Sequence, residues 1–314
     1  MSHDLPAICL LEPTSLLGRE LLQVMEERRM QPRTVLGFHL GAGEEQQVAE
    51  ILGEPALVGP LEEPEQVPEG SVLLIAGKPS EARRSVLQAL LAGRPHQPVL
   101  DLVGTGLVEG PVLAGAPGEP LRPPRAVVAS PGAAVIAGLV RPLLGLGVES
   151  VWAVAEVPAS ASGAGAVEAL AGQAAARLQG LPPEEAPGAP VLAFDLVPGE
   201  PGRTAAHAQA LLPGVEIAAC EVRAGTFHGW IVHLGLRFAG PVPPGRLLEL
   251  WTEAGTVSHD GDRFRLSGVV ESEQIHVGPL AVSEPGRQVV VTAAADGLRV
   301  GGAATALEIL DTLI

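Results

Sequence analysis

Residues 8–28, "ICLLEPTSLLGRELLQVMEER", join an apolar run to an amphipathic pattern through a short turn that holds one glycine. No other feature constrains the chain as tightly. Ile8–Leu11 are apolar without interruption, as in a strand buried on both faces. Leu17, Leu21, Val24 and Met25 then recur at i, i+4, i+7 and i+8, one helical stripe. Thr14 or Ser15 can cap that helix. A strand that feeds at once into a helix with an inward apolar stripe is one step of a doubly wound parallel sheet.

The step repeats. "TVLGFHL" (34–40) and "SVLLIAG" (71–77) read as further strands, separated by acidic, proline-dotted sequence over 41–70. "SEARRSVLQALLAG" (80–93) is a helix with Ser80 as its cap, and "PVLDLV" (98–103) is the next strand. "AVVASPGAAVIAGLVRPLLGLG" (126–147) gives strand, turn and helix, and a domain boundary falls there. Beyond it the character changes to long strands at 150–157, 215–225, 227–238 and 287–295, with helices at 165–179 and 244–254. That is an α+β domain with a mixed or antiparallel sheet. The closing "GGAATALEILDTLI" is helical and suits a return to the first domain. The expected organisation is a Rossmann-type α/β domain over 1–129 completed by 297–314, and a second domain over 130–296. With no tyrosine and five phenylalanines, both cores must be largely aliphatic.

Several function classes fall away. A net charge of −16 opposes nucleic acid and anionic membrane surfaces, which call for clustered Lys and Arg. No apolar stretch reaches the roughly 20 residues of a membrane span, and the N-terminus lacks a basic, then apolar, leader pattern, so a cytoplasmic location is expected. Cys9 and Cys220 each lie in a strand-like run and are expected as buried thiols rather than a disulfide. The eight histidines show no metal-ligand spacing; His228 and His233, five apart on an expected strand, would point to opposite faces.

Three features remain as candidate sites. In the first turn, Glu12 to Gly18, a phosphate would need bare N–H groups and glycine at the approach. Pro13 removes one N–H, and Glu12 would repel a phosphate by ~1 kcal/mol in water and ~4 at an effective dielectric of 20. "SASGAGA" (160–166) is a second glycine-bearing loop before a helix. Arg223 lies in an apolar strand, where its charge needs a carboxylate, either of the protein or of a ligand.

Taken in order, these segments resemble the aspartate-semialdehyde dehydrogenase family over nearly the whole chain. "LEPTSLLGRELLQVMEER" is similar to that family's GATGxVGxxLLxxLEER opening, and "VVASPGAAVIAGLVRPLLGLGVESV" to IxNPNCSTxxxxxxLxPLxxxxGIxxV. "SASGAGAVEAL" resembles AVSGAGxxAxxEL, "LAFDLVP" resembles IAFNVIP, "CEVRAGTFHGWIV" resembles CxRVPVFxGHSEA, and "DGLRVGGAATALEIL" resembles DNLRKGAALNAVQIA. The resemblance implies a Rossmann-type domain, an inserted dimerisation and catalytic domain, a homodimer, and NADP as cofactor. It implies a reaction in which a cysteine thiolate attacks the aldehyde, hydride passes to NADP, phosphate releases the acyl group, and a histidine acts as acid and base.

This sequence departs from that pattern at the reacting positions. The family's nucleophile falls on Ala133 and its histidine on Trp230. Its glutamine falls on Ala159, its lysine and asparagine on Val300 and Thr305, and two turn glycines on Glu12 and Ser15. Thr14 and Gly18 of the first turn, Ser162 and Gly163 of the second loop, and Arg223, at the position that grips the substrate carboxylate, survive. The expectation is a catalytically degenerate, Usg-like branch with no cofactor, or NADP if any, and no metal. The alternative is a divergent NAD(P)-binding oxidoreductase, or a sensor of a small carboxylate or nucleotide.

Overall fold

The computed structural model describes residues 5–43, 45–115, 124–184, 190–199, 202–283 and 286–313. The chain forms two compact units, Met1–Ala129 with Gly302–Ile314, and Ser130–Gly301. The first contains β1 (Ile8–Leu11), α1 (Leu16–Glu27), β2 (Val35–His39), β3 (Gln47–Ile51), β4 (Glu54–Pro60), β5 (Val72–Ile75), α2 (Glu81–Gly93), β6 (Val99–Asp101), β7 (Val112–Leu113) and β8 (Arg125–Val128). The second contains α3 (Pro131–Val140), β9 (Val148–Val157), α4 (Ala164–Leu178), β10 (Leu196–Pro198), α5 (Thr204–Leu211), β11 (Glu216–Ala224) and β12 (Trp230–Phe238). It continues through α6 (Pro244–Ala254), β13 (Val257–His259), β14 (Ile275–Val282) and β15 (Gln288–Ala295). The last helix, α7 (Ala303–Leu313), belongs to the first unit.

The first unit is built on an eight-stranded sheet in the order β3-β4-β2-β1-β5-β6-β8-β7, parallel at every pairing except β3 with β4. Every residue of β1 is buried because helices cover both faces. Ile8 and Leu10 pack with Leu21, Val24 and Met25 of α1 and Leu307 and Leu310 of α7. Cys9 and Leu11 pack with Leu87 and Leu90 of α2. The chain leaves β1 through α1 to β2 on one side and resumes at β5 on the other, so the strand order reverses between β1 and β5. At such a switch point, beyond the carboxyl ends of the strands, a doubly wound sheet leaves an open crevice.

The acidic, proline-dotted stretch from 41 to 70, for which the sequence reading names no element, has regular structure. It carries the hairpin β3–β4, closed by Leu52 and Gly53, both at positive φ. Its inward stripe of Ala49, Ile51, Ala56 and Val58 packs on the core, but Val48 and Leu57 face each other on the outward side and stay largely exposed, so the sequence shows no clean alternation of apolar and polar residues.

The second unit has a seven-stranded sheet, β10-β11-β9-β12-β15-β14-β13, antiparallel except at β11–β9 and β13–β14. Its two faces differ. Trp230, Val232, Leu234, Leu236 and Phe238 alternate into the core beneath α3, while Trp152, Val154 and Val290 stand exposed on the other face. The indole N–H of Trp251 in α6 donates to the carbonyl of Leu139, 2.8 Å away, and fixes α6 against α3. Strand β14 went unpredicted because Gly278-Pro279 interrupts it; the register shifts there, so the proline costs no ladder bond. A largely parallel α/β sheet joined in sequence to a mixed, mostly antiparallel α+β sheet is the fold class the sequence pointed to.

Candidate functional site

The crevice of the first unit starts at the turn after β1. Ser15, not Thr14, is the helix cap: its Oγ accepts the N–H of Gly18 at 2.9 Å. Its own proton is shared between the carbonyls of Glu12 at 2.9 Å and Ala76 at 3.1 Å, which ties the ends of β1 and β5. Thr14 is half-buried in the same turn. Gly18 has a packing reason to be glycine, since a Cβ there would lie 2.1 Å from the carbonyl oxygen of Glu12.

Glu12 itself has φ +67°, a left-handed conformation that glycine adopts without strain and glutamate does not. Its side chain crosses the crevice. The carboxylate Oε1 accepts the N–H of Leu40 at 2.5 Å and of Gly41 at 2.8 Å, both just beyond β2. Oε2 lies 3.8 Å from Nδ1 of His39, and a Cβ on Gly77, just beyond β5, would fall 2.4 Å from Cγ of Glu12.

In the second unit the candidate residues gather around the start of α3. Ala133, in its first turn, is fully buried. Trp230 is buried as well and lies against Gly297, to which Pro131 is also close: a Cβ on Gly297 would sit 2.3 Å from Cδ1 of Trp230 and 3.1 Å from Cβ of Pro131. The amide of Ser130 donates to Nδ1 of His207, 3.0 Å away. Burial, and then the neighbouring Arg203 charge, push His207 down to about 4, so that this nitrogen remains a neutral acceptor. Thr204 gives its hydroxyl proton and its N–H to Oε1 of Glu221 at 2.6 and 3.2 Å, anchoring α5 to β11. Val300 of this unit is buried, and so, in α7 of the first unit, is Thr305.

Two surviving positions meet directly. Arg223 donates to Oγ of Ser162 at 3.3 Å, and among the described residues Arg223 forms no ion pair. Gly163, at φ +97° and ψ −179°, takes a conformation open essentially to glycine alone and turns the 159–162 segment into α4. Glu221 and His207 were missed as partners. Strand parity could have found Glu221, which shares the helix-facing side of β11 with Ala219 and Arg223.

Cys220 corrects an expectation. It is exposed, because its parity on β11 places it beside Val154 on the open face of the sheet rather than in the core. Cys9 is buried as expected, and burial pushes its thiol up to about 12. His228 precedes β12, so it does not share a strand with His233 as expected. His233 bonds Glu156 and Thr292, each at 3.0 Å, on the open face. His276 bridges Asp260 and Ser272, each at 2.8 Å; Ser272 also accepts the N–H of Gln274, so this group braces its own turn against β13 and β14. Among the described residues no group of three His, Cys, Asp or Glu could hold a metal ion, and no helix is long and apolar enough to cross a membrane.

No protein-family model and no curated protein sequence matches the chain. Solved structures do match it over nearly its full length. A probable aspartate-semialdehyde dehydrogenase from Pseudomonas aeruginosa superposes with a TM-score of 0.85 at 20% identity, covering 99% of this chain and 98% of that one. Aspartate semialdehyde dehydrogenase II from Vibrio cholerae, complexed with ASA, gives 0.83 at 15% identity with the same coverage. The Francisella tularensis aspartate semialdehyde dehydrogenase gives 0.80 at 12%, covering 98% and 99%. At these identities the likeness establishes the fold.

The first crevice does not suit a bound dinucleotide. A pyrophosphate there would meet the Glu12 carboxylate, a proline without N–H, and backbone amides already bonded to Glu12.

Proposed function

We propose that this chain is a non-catalytic member of the aspartate-semialdehyde dehydrogenase family, in a degenerate, Usg-like branch, which acts by binding rather than by hydride transfer. The carrying observation is that buried, unreactive side chains stand where the resemblance puts the two reacting groups: Ala133 at the start of α3, and Trp230, which lies against Gly297. An alanine offers no thiolate, and an indole is neither an acid nor a base of useful strength near neutral pH, so neither position can run covalent or acid–base chemistry. The test is phosphate-dependent reduction of NADP with aspartate semialdehyde. The expected rate equals the buffer control; a rate well above it sinks the proposal.

The quaternary reading is a homodimer. The open face of the second sheet supports it, with Trp152 45%, Val154 38% and Val290 55% exposed around Cys220 and Gly235. A two-fold axis would bury this apolar centre against its own copy. The expected result is a dimer by light scattering that Trp152→Asp converts to monomer; a monomeric wild type would overturn it.

Arg223 favours a second reading, recognition of a small carboxylate. Its guanidinium bonds Ser162 and, among the described residues, no protein carboxylate. Calorimetry with succinate would register binding that Arg223→Gln abolishes, and no heat at millimolar ligand would count against it.

A further inference from the structure

The departure of the first crevice from a nucleotide site is organised around one side chain. Glu12 follows β1, the amides of Leu40 and Gly41 follow β2, and Gly77 follows β5, so the four positions surround the point where strand order reverses. The Glu12 side chain reaches across all of it, its Cγ against Gly77 and its carboxylate on the two amides. Paired backbone N–H groups beyond a parallel strand are donors for an anion, and in the crevice of a doubly wound sheet the anion a nucleotide brings is a phosphate. Glu12 supplies such an anion covalently, in a backbone conformation that disfavours any residue with a Cβ.

We propose that Glu12 is a built-in ligand: its carboxylate occupies a latent anion seat on Leu40 and Gly41, and its removal opens that seat to a phosphate-bearing adenine nucleotide. The proposal concerns the first unit alone and does not depend on Ala133 or Trp230, so it can stand or fall apart from the non-catalytic reading. It also goes beyond the simple repulsion expected of an acidic residue in a phosphate turn. A repelling group acts through its charge. A built-in ligand acts through the two hydrogen bonds it already makes, and a neutral group with the same reach keeps the seat closed.

That difference defines the test. Wild type, Glu12→Gly and Glu12→Gln are titrated by calorimetry with adenosine 2′,5′-bisphosphate and with NADP. Glycine accepts the positive φ and frees both amides. Glutamine loses the charge but keeps an oxygen that can reach them. The expected result is no binding to wild type or Glu12→Gln at millimolar ligand, and at least about tenfold tighter binding to Glu12→Gly, in line with removing both a competitor and a like charge. Binding to Glu12→Gln as tight as to Glu12→Gly would reduce Glu12 to a repelling charge and overturn the proposal. So would a folded Glu12→Gly that binds no better than wild type, or a wild type whose affinity the glycine leaves unchanged. Should Glu12→Gly fail to fold, Glu12→Asn replaces it: asparagine tolerates positive φ, and its side chain is one methylene too short for the amides. NADP reduction in the same samples separately tests the non-catalytic reading.

Discussion

The crevice after β1 and the region at the start of α3 are filled by opposite means. In the first, a carboxylate lies across the strand ends and is held by two backbone amides. In the second, an indole fills space against Gly297, and a methyl stands at Ala133. A polar closure depends on a few directional bonds and comes away when they are cut. An apolar closure is part of the core, and removing it leaves a void whose walls have lost their contacts. The two regions therefore differ in how independent they are of stability.

The largest effect expected from that contrast is at Trp230. Trp230→Ala empties a buried site and should cost ~3–5 kcal/mol in chemical denaturation. A loss under about 1 kcal/mol would show the ring to be loosely held. Gly18→Ala comes next. Its Cβ would press on the carbonyl of Glu12, and a cost of ~1–3 kcal/mol in thermal or urea unfolding is expected from forced displacement of α1. An unchanged Tm would mean that the turn and α1 can separate at no cost.

A smaller, pH-dependent effect is expected at His207. Its folded value is lowered to about 4 from an ordinary 6.5, so between those values the unfolded chain binds more protons and stability falls as pH falls. Above pH 6.5 the contribution is fully present. Comparing wild type with His207→Gln from pH 7 to pH 4, the wild type should lose ~1–2 kcal/mol more, allowing for solvent screening. Parallel pH profiles would contradict the acceptor role toward Ser130. The smallest effect is at the cap: Ser15→Ala should cost ~1 kcal/mol, while Thr14→Ala costs a few tenths. Equal losses would remove the distinction between those two positions.

The turn after β1 was legible as architecture because strand burial and helical periodicity are local properties of a few consecutive residues. The same holds for α2 and for the long strands of the second unit. The hairpin at 47–60 was not legible, since Val48 and Leu57 face outward and Leu52-Gly53 is not a usual sequence for a tight reversal. The candidate sites were legible as positions but not as contacts. Ser162 and Arg223 are 61 residues apart and bond each other. The partners of Glu12 lie 28 and 29 residues beyond it. Cys220 was assigned to the wrong side of its strand because an apolar neighbourhood in sequence does not state which face of a sheet is covered.

By itself the sequence determined the two kinds of sheet, most of the strands and helices that build them, and the identity of the residues at Ala133, Trp230 and Glu12. Those follow from periodicity and chemical type, which are written residue by residue. Only the tertiary structure decided what the residues do to one another: that Glu12 engages the amides beyond β2, that Trp230 closes on Gly297, and that Cys220 faces outward. Each of these depends on where strands distant in sequence come to lie, and on which face is left uncovered. A hydrogen bond or a packed ring requires placement within a few tenths of an ångström, which the whole assembled core supplies and no local stretch can.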